Sequence, residues 1–381
     1  MFYLVIFFFI LFCSLCNLYS VRKSEIQLSN VMFYTVIFLL IIIGGFRFET
    51  GGDWPGYRAL YDKVDTRAVE PLFAVVIGIA KTIGHYQWIF VICEIIRFVT
   101  MASFLRRNDG YDKRYKTMII LLYYVMYWFY YDLVIVRQAT AAAIFIFGIL
   151  RKSKISFKEY LFYVLLATGF HFASLFLIFM YYPLYKVSSN IVGKITLLFV
   201  LFYFVGLDII PFLLDIVLNI LPQTYLLYRL YAYTQIAELA TNRVLTGQSL
   251  VYLLVFFVML FNKYIMKKET NPLFYNGACM FIFLYFGFPS LSTISTRLST
   301  YFSIFIIFEI VDIIKIYRKT IFVPVILVFL CFCFNKGVFF ELPDKIAYNP
   351  YQFYWTHQIF DLPSDGLERL NSTPNYEKRG K

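Results

Sequence analysis

The sequence predicts an all-α fold, a polytopic integral membrane helix bundle of about 11 to 13 crossings. Three observations predict it. Hydrophobic residues fill 61% of the 381 positions and charged ones only 15%, with mean hydropathy +0.70, a balance suited to a bilayer. Apolar stretches of roughly 17 to 25 residues, enough to span about 30 Å of hydrocarbon as helix, recur from Phe2 to Phe334 with short polar breaks. These stretches are continuously apolar instead of alternating every second residue, which argues against an outer-membrane barrel.

The first run, Phe2 to Leu18, lacks the basic start and Ala-x-Ala exit of a cleavable signal. Arg22 and Lys23 follow it, so the first turn belongs in the cytoplasm and the N-terminus outside. The second run, Val31 to Phe46, then delivers a polar loop, Arg47 to Glu70, to the outer face, with nine charges, two consecutive glycines and Pro55. Basic clusters at Arg106 to Lys116, Arg151 to Lys158, Lys186 to Lys194, Lys263 to Lys268 and Lys315 to Lys319 mark further cytoplasmic turns by the same rule.

Three intervals depart from simple hairpins. Pro71 to Leu105 suits two helices by length yet needs an odd number of crossings, so one half is expected to be short or re-entrant. Tyr160 to Tyr185 is short for two spans and is expected to bend within the membrane near Gly169 and His171. Leu207 to Thr246 mixes prolines and charges with apolar residues and reads as an extracytoplasmic loop of amphipathic, interface-lying helices. The polar tail, residues 335–381, is placed outside and partly disordered at its end. The organisation is one membrane domain, residues 1–334, followed by that tail.

The net charge of +12 sits in short loops between apolar runs, where cytoplasmic retention explains it and nucleic-acid binding is not needed. The six cysteines lie inside apolar stretches, and Cys13 with Cys16 has no second pair of soft ligands in polar sequence, so no metal is expected. No Walker A loop, dinucleotide fingerprint, GxSxG elbow, HExxH or EF-hand is present. Nucleotide hydrolysis therefore lacks support, no cofactor is expected, and the energy must come from the substrate.

Charges within or bordering membrane helices cost several kcal/mol unless paired or solvated, which makes each a functional candidate. In GGFRFETGGDWPGYRALYD, Arg47 sits at the membrane exit, and Gly51 and Gly52 allow a turn that places Asp53 near the helix ends. Trp54, Tyr57 and Tyr61 add flat faces for a sugar or for the interface; anchoring of the helix is the plainer reading of the same loop. Glu70 before Pro71 is either a cap or an acid at the positive end of a helix dipole. Arg137 and Gln138 open an Ala-rich helix, and the guanidinium is expected to face a polar cavity. His171, in GFHFAS, is a helix-to-helix hydrogen bond or a catalytic or phosphate-contacting group. Arg297 and Tyr301, in STRLSTYF, fall at the outward end of a hairpin, where snorkelling to the interface is the alternative for Arg297.

On this topology Arg47, Asp53, Glu70, Arg137, His171 and Arg297 all lie near the outer face, whereas independent anchors would scatter. Three arginines with few counter-charges suit an anionic ligand, because planar guanidinium groups grip phosphate oxygens in pairs. A membrane-borne diphosphate is the natural one.

The segments FRFETGGDWPGYRALYD, EPLF, RQATAAA, GFHFAS and RLSTYF, in that order, resemble the EpsG-type family of exopolysaccharide polymerases, relatives of the Wzy-type O-antigen polymerases. The likeness runs from about Phe46 to Phe302. It implies an enzyme of the bacterial cytoplasmic membrane that transfers a growing glycan from undecaprenyl-diphosphate to the sugar of another lipid-linked repeat on the outer face. The expected partners are the lipid-linked oligosaccharide and the bilayer, with flippase and chain-length regulator proteins. On this reading Asp53, then His171 and Glu70, are the candidate bases. Arg137 and Arg297, aided by Arg47, Gln138, Tyr57 and Tyr301, hold the diphosphate and substrate. Two rivals stand beside it: a lipid-linked oligosaccharide flippase or other transporter, and a membrane O-acyltransferase.

Overall fold

The computed structural model describes residues 1–19, 23–63, 69–107, 113–152, 154–208, 212, 216, 245–267, 271–317, 322–340, 342 and 345–372. These residues are almost wholly helical. The chain divides into two compact units, Met1–Leu175 with Ile314–Lys381, and Phe176–Ile313.

In the first unit α1 (Phe2–Tyr19), α2 (Lys23–Gly45) and α5 (Gln87–Arg107) are the long apolar helices. Val5, Phe8, Phe12, Val31 and Phe38 on α1 and α2 are exposed apolar side chains, the outward face of helices whose solvent is lipid. Small residues let the helix backbones approach: a Cβ on Gly45 would lie 3.1 Å from the Val91 Cα of α5. One on Gly44 would lie 2.0 Å from the Glu94 carboxylate, so this double glycine seats α2 on α5.

Between α2 and α5 run the short α3 (Trp54–Asp62) and α4 (Pro71–Ile83). At 13 residues α4 is about 20 Å long, less than a full span, so the interval Pro71 to Leu105 does hold one short helix. Its start is fixed by chemistry: Pro71 stands in the first turn, and the N–H groups of Leu72 and Phe73 both donate to the Gly169 carbonyl, at 2.8 and 3.1 Å. Gly84, at φ +99°, ends it in the left-handed conformation that glycine tolerates.

Helix α6 (Lys116–Tyr123) runs into a π turn, Tyr124–Trp128, then α7 (Phe129–Tyr131), and α8 (Val136–Ile149) follows. A π turn breaks the regular ladder, and here the Val125 carbonyl accepts from the Asn335 amide of α16 (Phe322–Phe339). Helix α9 (Phe157–Thr168) opens with a capping box between Ser156 and Glu159 and stops at Gly169.

The polar tail does not hang free. Residues 345–372 include α17 (Tyr354–Phe360) and α18 (Gly366–Asn371) and fasten onto the loop after α2. Phe48 N–H donates to Gln352, Gly51 N–H to Ala347 and Tyr354 N–H to Phe46, at 2.8 to 3.0 Å. Arg369 Nη2 donates to the Glu49 carbonyl at 3.3 Å, while the Glu49 carboxylate accepts from Ser364 and the Gly366 N–H.

The second unit holds α10 (Leu177–Tyr185), α11 (Ser189–Val205), α12 (Gly247–Tyr264), α13 (Pro272–Gly287), α14 (Ser292–Ser299) and the first part of α15 (Ser303–Tyr317). Segments Phe172–Tyr185 and Ser189–Val205 meet at 120°, a broken span or re-entrant pair. Asn276 of α13 donates to the carbonyls of Pro183, Leu184 and Val187, groups left without helical partners at that break. Glycines again set the spacing: Gly193 lies under the Tyr275 hydroxyl and Gly277 under the Phe305 ring.

By length and composition, four helices among the described residues are long and apolar enough to cross a membrane, or up to five if the bent pair is one span. Three further apolar helices among the described residues have 10–17 residues: Pro71–Ile83, Val136–Ile149 and Pro272–Gly287. Nearly all of Leu207 to Thr246 lies outside the described residues, as do residues 64–68 and 373–381.

Candidate active site

Four segments of the first unit converge on Glu70. Its Oε2 lies 2.8 Å from Arg137 Nη1, and its Oε1 accepts from the Phe172 N–H at 3.4 Å. The His171 Nδ1 stands 3.3 Å from Oε1 but off the line of a hydrogen bond, so that contact is electrostatic and grows when the ring is protonated. Tyr57 completes the group by accepting the Arg137 backbone N–H at 3.3 Å.

Local sequence explains each placement. Glu70 is the residue before the Pro71 that starts α4, so its carboxylate sits at the positive end of that helix. Arg137 is in the first turn of α8. His171 follows Gly169, whose carbonyl caps α4, so one bend delivers both the cap and the imidazole. A Cβ on Gly169 would lie 2.6 Å from Leu72 Cδ1 and Cγ, which is why the bend fits there only without a side chain.

The electrostatics follow from this geometry. Burial pushes the Glu70 carboxyl up, but His171, the backbone and Arg137 outweigh it and hold the group down at about 2. Glu70 is therefore a fixed anion at neutral pH. The Arg137 side chain is 32% exposed and that of His171 18%, against 5% for Glu70. The cation and the imidazole are thus reachable from outside while the carboxylate between them is not. Arg137 also lies over the Phe73 ring, 5.5 Å from its centre.

The other predicted residues fall elsewhere. Arg47 is 1% exposed, donates to the carbonyls of Gly44, Thr50 and Leu133, and covers the Phe90 ring at 4.2 Å. It fastens the turn and has no open side toward a ligand, unlike the substrate contact expected for it. Tyr57 is buried between Phe73 and Phe90, and Trp54 is buried too, so neither presents a flat face to a sugar. Gln138 is buried in α8 beside Arg137 in sequence. Asp53 is exposed at the start of α3, where its side chain caps no backbone group. In the second unit Arg297 is exposed on α14, and Tyr301 is fully buried with its ring against Phe176, 5.7 Å between centres. Among the described residues no three of His, Cys, Asp and Glu gather as metal ligands would.

One group escaped sequence reading. Within the apolar run of α5, Glu94 and Arg97 form an ion pair at 2.9 Å, and Arg97 Nε donates to Asp132 Oδ1 at 2.6 Å. The signal was the i, i+3 spacing of opposite charges in ICEIIRF, which places both on one helix face.

A protein-family model, the EpsG family, matches residues 30–353, nearly the whole chain. The chain belongs to the EpsG family. EpsG is a family of exopolysaccharide polymerases, and Glu70, Arg137 and His171 all lie inside the matched span. The EpsG match ends at Phe353, so α17 and α18 lie beyond it. No curated protein and no solved structure matches the chain significantly.

Proposed function

We propose that this EpsG-family chain is a repeat-unit polymerase of the bacterial cytoplasmic membrane. It transfers a glycan from undecaprenyl-diphosphate to a sugar hydroxyl of another lipid-linked repeat at the outer face. The observation that carries the reading is the Glu70 bridge, which holds a reachable guanidinium and a reachable imidazole on one buried carboxylate.

In the proposed step the acceptor hydroxyl attacks the anomeric carbon, the bond from that carbon to the diphosphate oxygen breaks, and lipid diphosphate leaves. Arg137 neutralises the charge that develops on the leaving diphosphate. His171 takes the acceptor proton on Nε2, because Nδ1 faces Glu70, whose carboxylate 3.3 Å away stabilises the imidazolium that forms. This ranks His171 above Asp53 as the base, with Glu70 as its counter-charge. A carboxyl held at about 2 is too weak a base to take the proton itself. Flippase and chain-length regulator proteins are proposed as partners.

The test is glycan synthesis by purified protein in nanodiscs supplied only with undecaprenyl-diphosphate repeat units from its own strain. Wild type is expected to build a ladder. Arg137→Ala is expected to lose roughly 10²- to 10³-fold in turnover, as when one stabilising donor is removed. Transfer of the lipid between leaflets without a ladder would replace this reading with transport.

A further inference from the structure

Arg97 is buried in α5, and three of its guanidinium contacts fall on one neighbouring stretch of chain. Nε donates to Asp132 Oδ1 at 2.6 Å, and Nη1 donates to the Val136 carbonyl at 3.2 Å and to Thr140 Oγ1 at 2.9 Å. Nη2 lies 2.9 Å from Glu94 Oε1 on Arg97's own helix. Asp132 is held in turn by the Tyr123 hydroxyl, 2.6 Å from Oδ2. The three partners on the neighbouring stretch bracket Arg137: Asp132 closes the preceding turn, Val136 is the residue before it, and Thr140 lies three residues on.

We propose that Arg97 is a positioning residue for Arg137. Its rigid planar fork grips the segment 132–140 at both ends and sets the rotation of the first turn of α8. That rotation decides the direction in which the Arg137 side chain leaves the helix and meets Glu70. A buried ion pair adds little net stability compared with well-packed apolar residues, so geometry is what this arrangement supplies. The inference rests on the reading of Arg137 as the diphosphate-binding group.

A double-mutant cycle separates positioning from general support of the fold. Turnover and KM are measured for wild type, Arg97→Lys, Thr140→Val, Arg137→Ala and the two doubles with Arg137→Ala, using the strain's own undecaprenyl-diphosphate repeat units in nanodiscs. Thr140→Val removes one acceptor of Arg97 while keeping a branched side chain, and it carries the test if Arg97→Lys does not accumulate. Alone, it is expected to lower kcat roughly tenfold to 10²-fold, the scale of a misplaced catalytic group. In the Arg137→Ala background it is expected to cost almost nothing more. Equal losses in both backgrounds would overturn the positioning role while leaving the site intact. No loss from Arg137→Ala alone would overturn the reading of Arg137, and this proposal with it.

Discussion

Glu70 is the residue on which the candidate site turns, since its carboxylate touches both Arg137 and His171. Its carboxyl is held at about 2, below the ordinary value of 4.5, so its stabilising contribution is present at and above neutral pH and is lost as pH falls through 2. The difference in melting temperature between wild type and Glu70→Gln is therefore expected not to shrink between pH 8 and 5 and to shrink only in stronger acid. Thermal unfolding in detergent across that range checks it; a difference that vanished between pH 7 and 5 would mean the carboxyl is not held down. His171→Ala is expected to lower turnover by roughly 10²- to 10⁴-fold at unchanged protein level, the usual worth of a general base. At this scale the sequence was half legible. Charges at helix ends pointed to Glu70, Arg137 and His171, but nothing local reveals that Arg47 turns inward onto three carbonyls. Glu94 and Arg97 stayed hidden because a long apolar run masks two charges that neutralise each other inside it.

At the scale of elements, glycine positions govern how the helices meet. Gly44 faces the Glu94 carboxylate at a distance no Cβ can share, so Gly44→Val is expected to part α2 from α5 and destabilise the protein by about 1–3 kcal/mol. A fall in melting temperature in detergent checks this. The tail is a second such element. Arg369 donates to the Glu49 and Pro350 carbonyls, to Gln352 and to Asp365, so Arg369→Ala leaves buried acceptors unpaired. Faster proteolytic cleavage between α2 and α3 is expected, and unchanged cleavage would show that the tail does not hold the loop. The helix break near Gly169 and the short helix after Pro71 were legible from segment lengths against the bilayer. The docking of residues 345–372 was not, because a polar, proline-containing tail carries no periodic signal and gains its order from long-range partners such as Glu49. That Gly169 caps α4 was equally hidden, since two chain segments about 100 residues apart meet there.

At the scale of the molecule, composition alone decided the class: 61% hydrophobic residues in long continuous runs leave a lipid-embedded helical bundle as the fold. Which apolar runs form one straight helix was less legible, because hydropathy sees an apolar run and not whether that run is a whole helix or two short ones set at an angle. The family match over residues 30–353 places the chain in the EpsG family and points to a polymerase-type role, for which the Glu70 bridge is the proposed chemical basis. The most direct measurement is the glycan product formed by purified protein in nanodiscs from undecaprenyl-diphosphate repeat units alone, wild type against His171→Ala and Arg137→Ala. A ladder from wild type, with both variants folded and nearly silent, is the predicted result. A ladder of undiminished intensity from both variants would contradict the site, and no ladder from folded wild type would contradict the reaction.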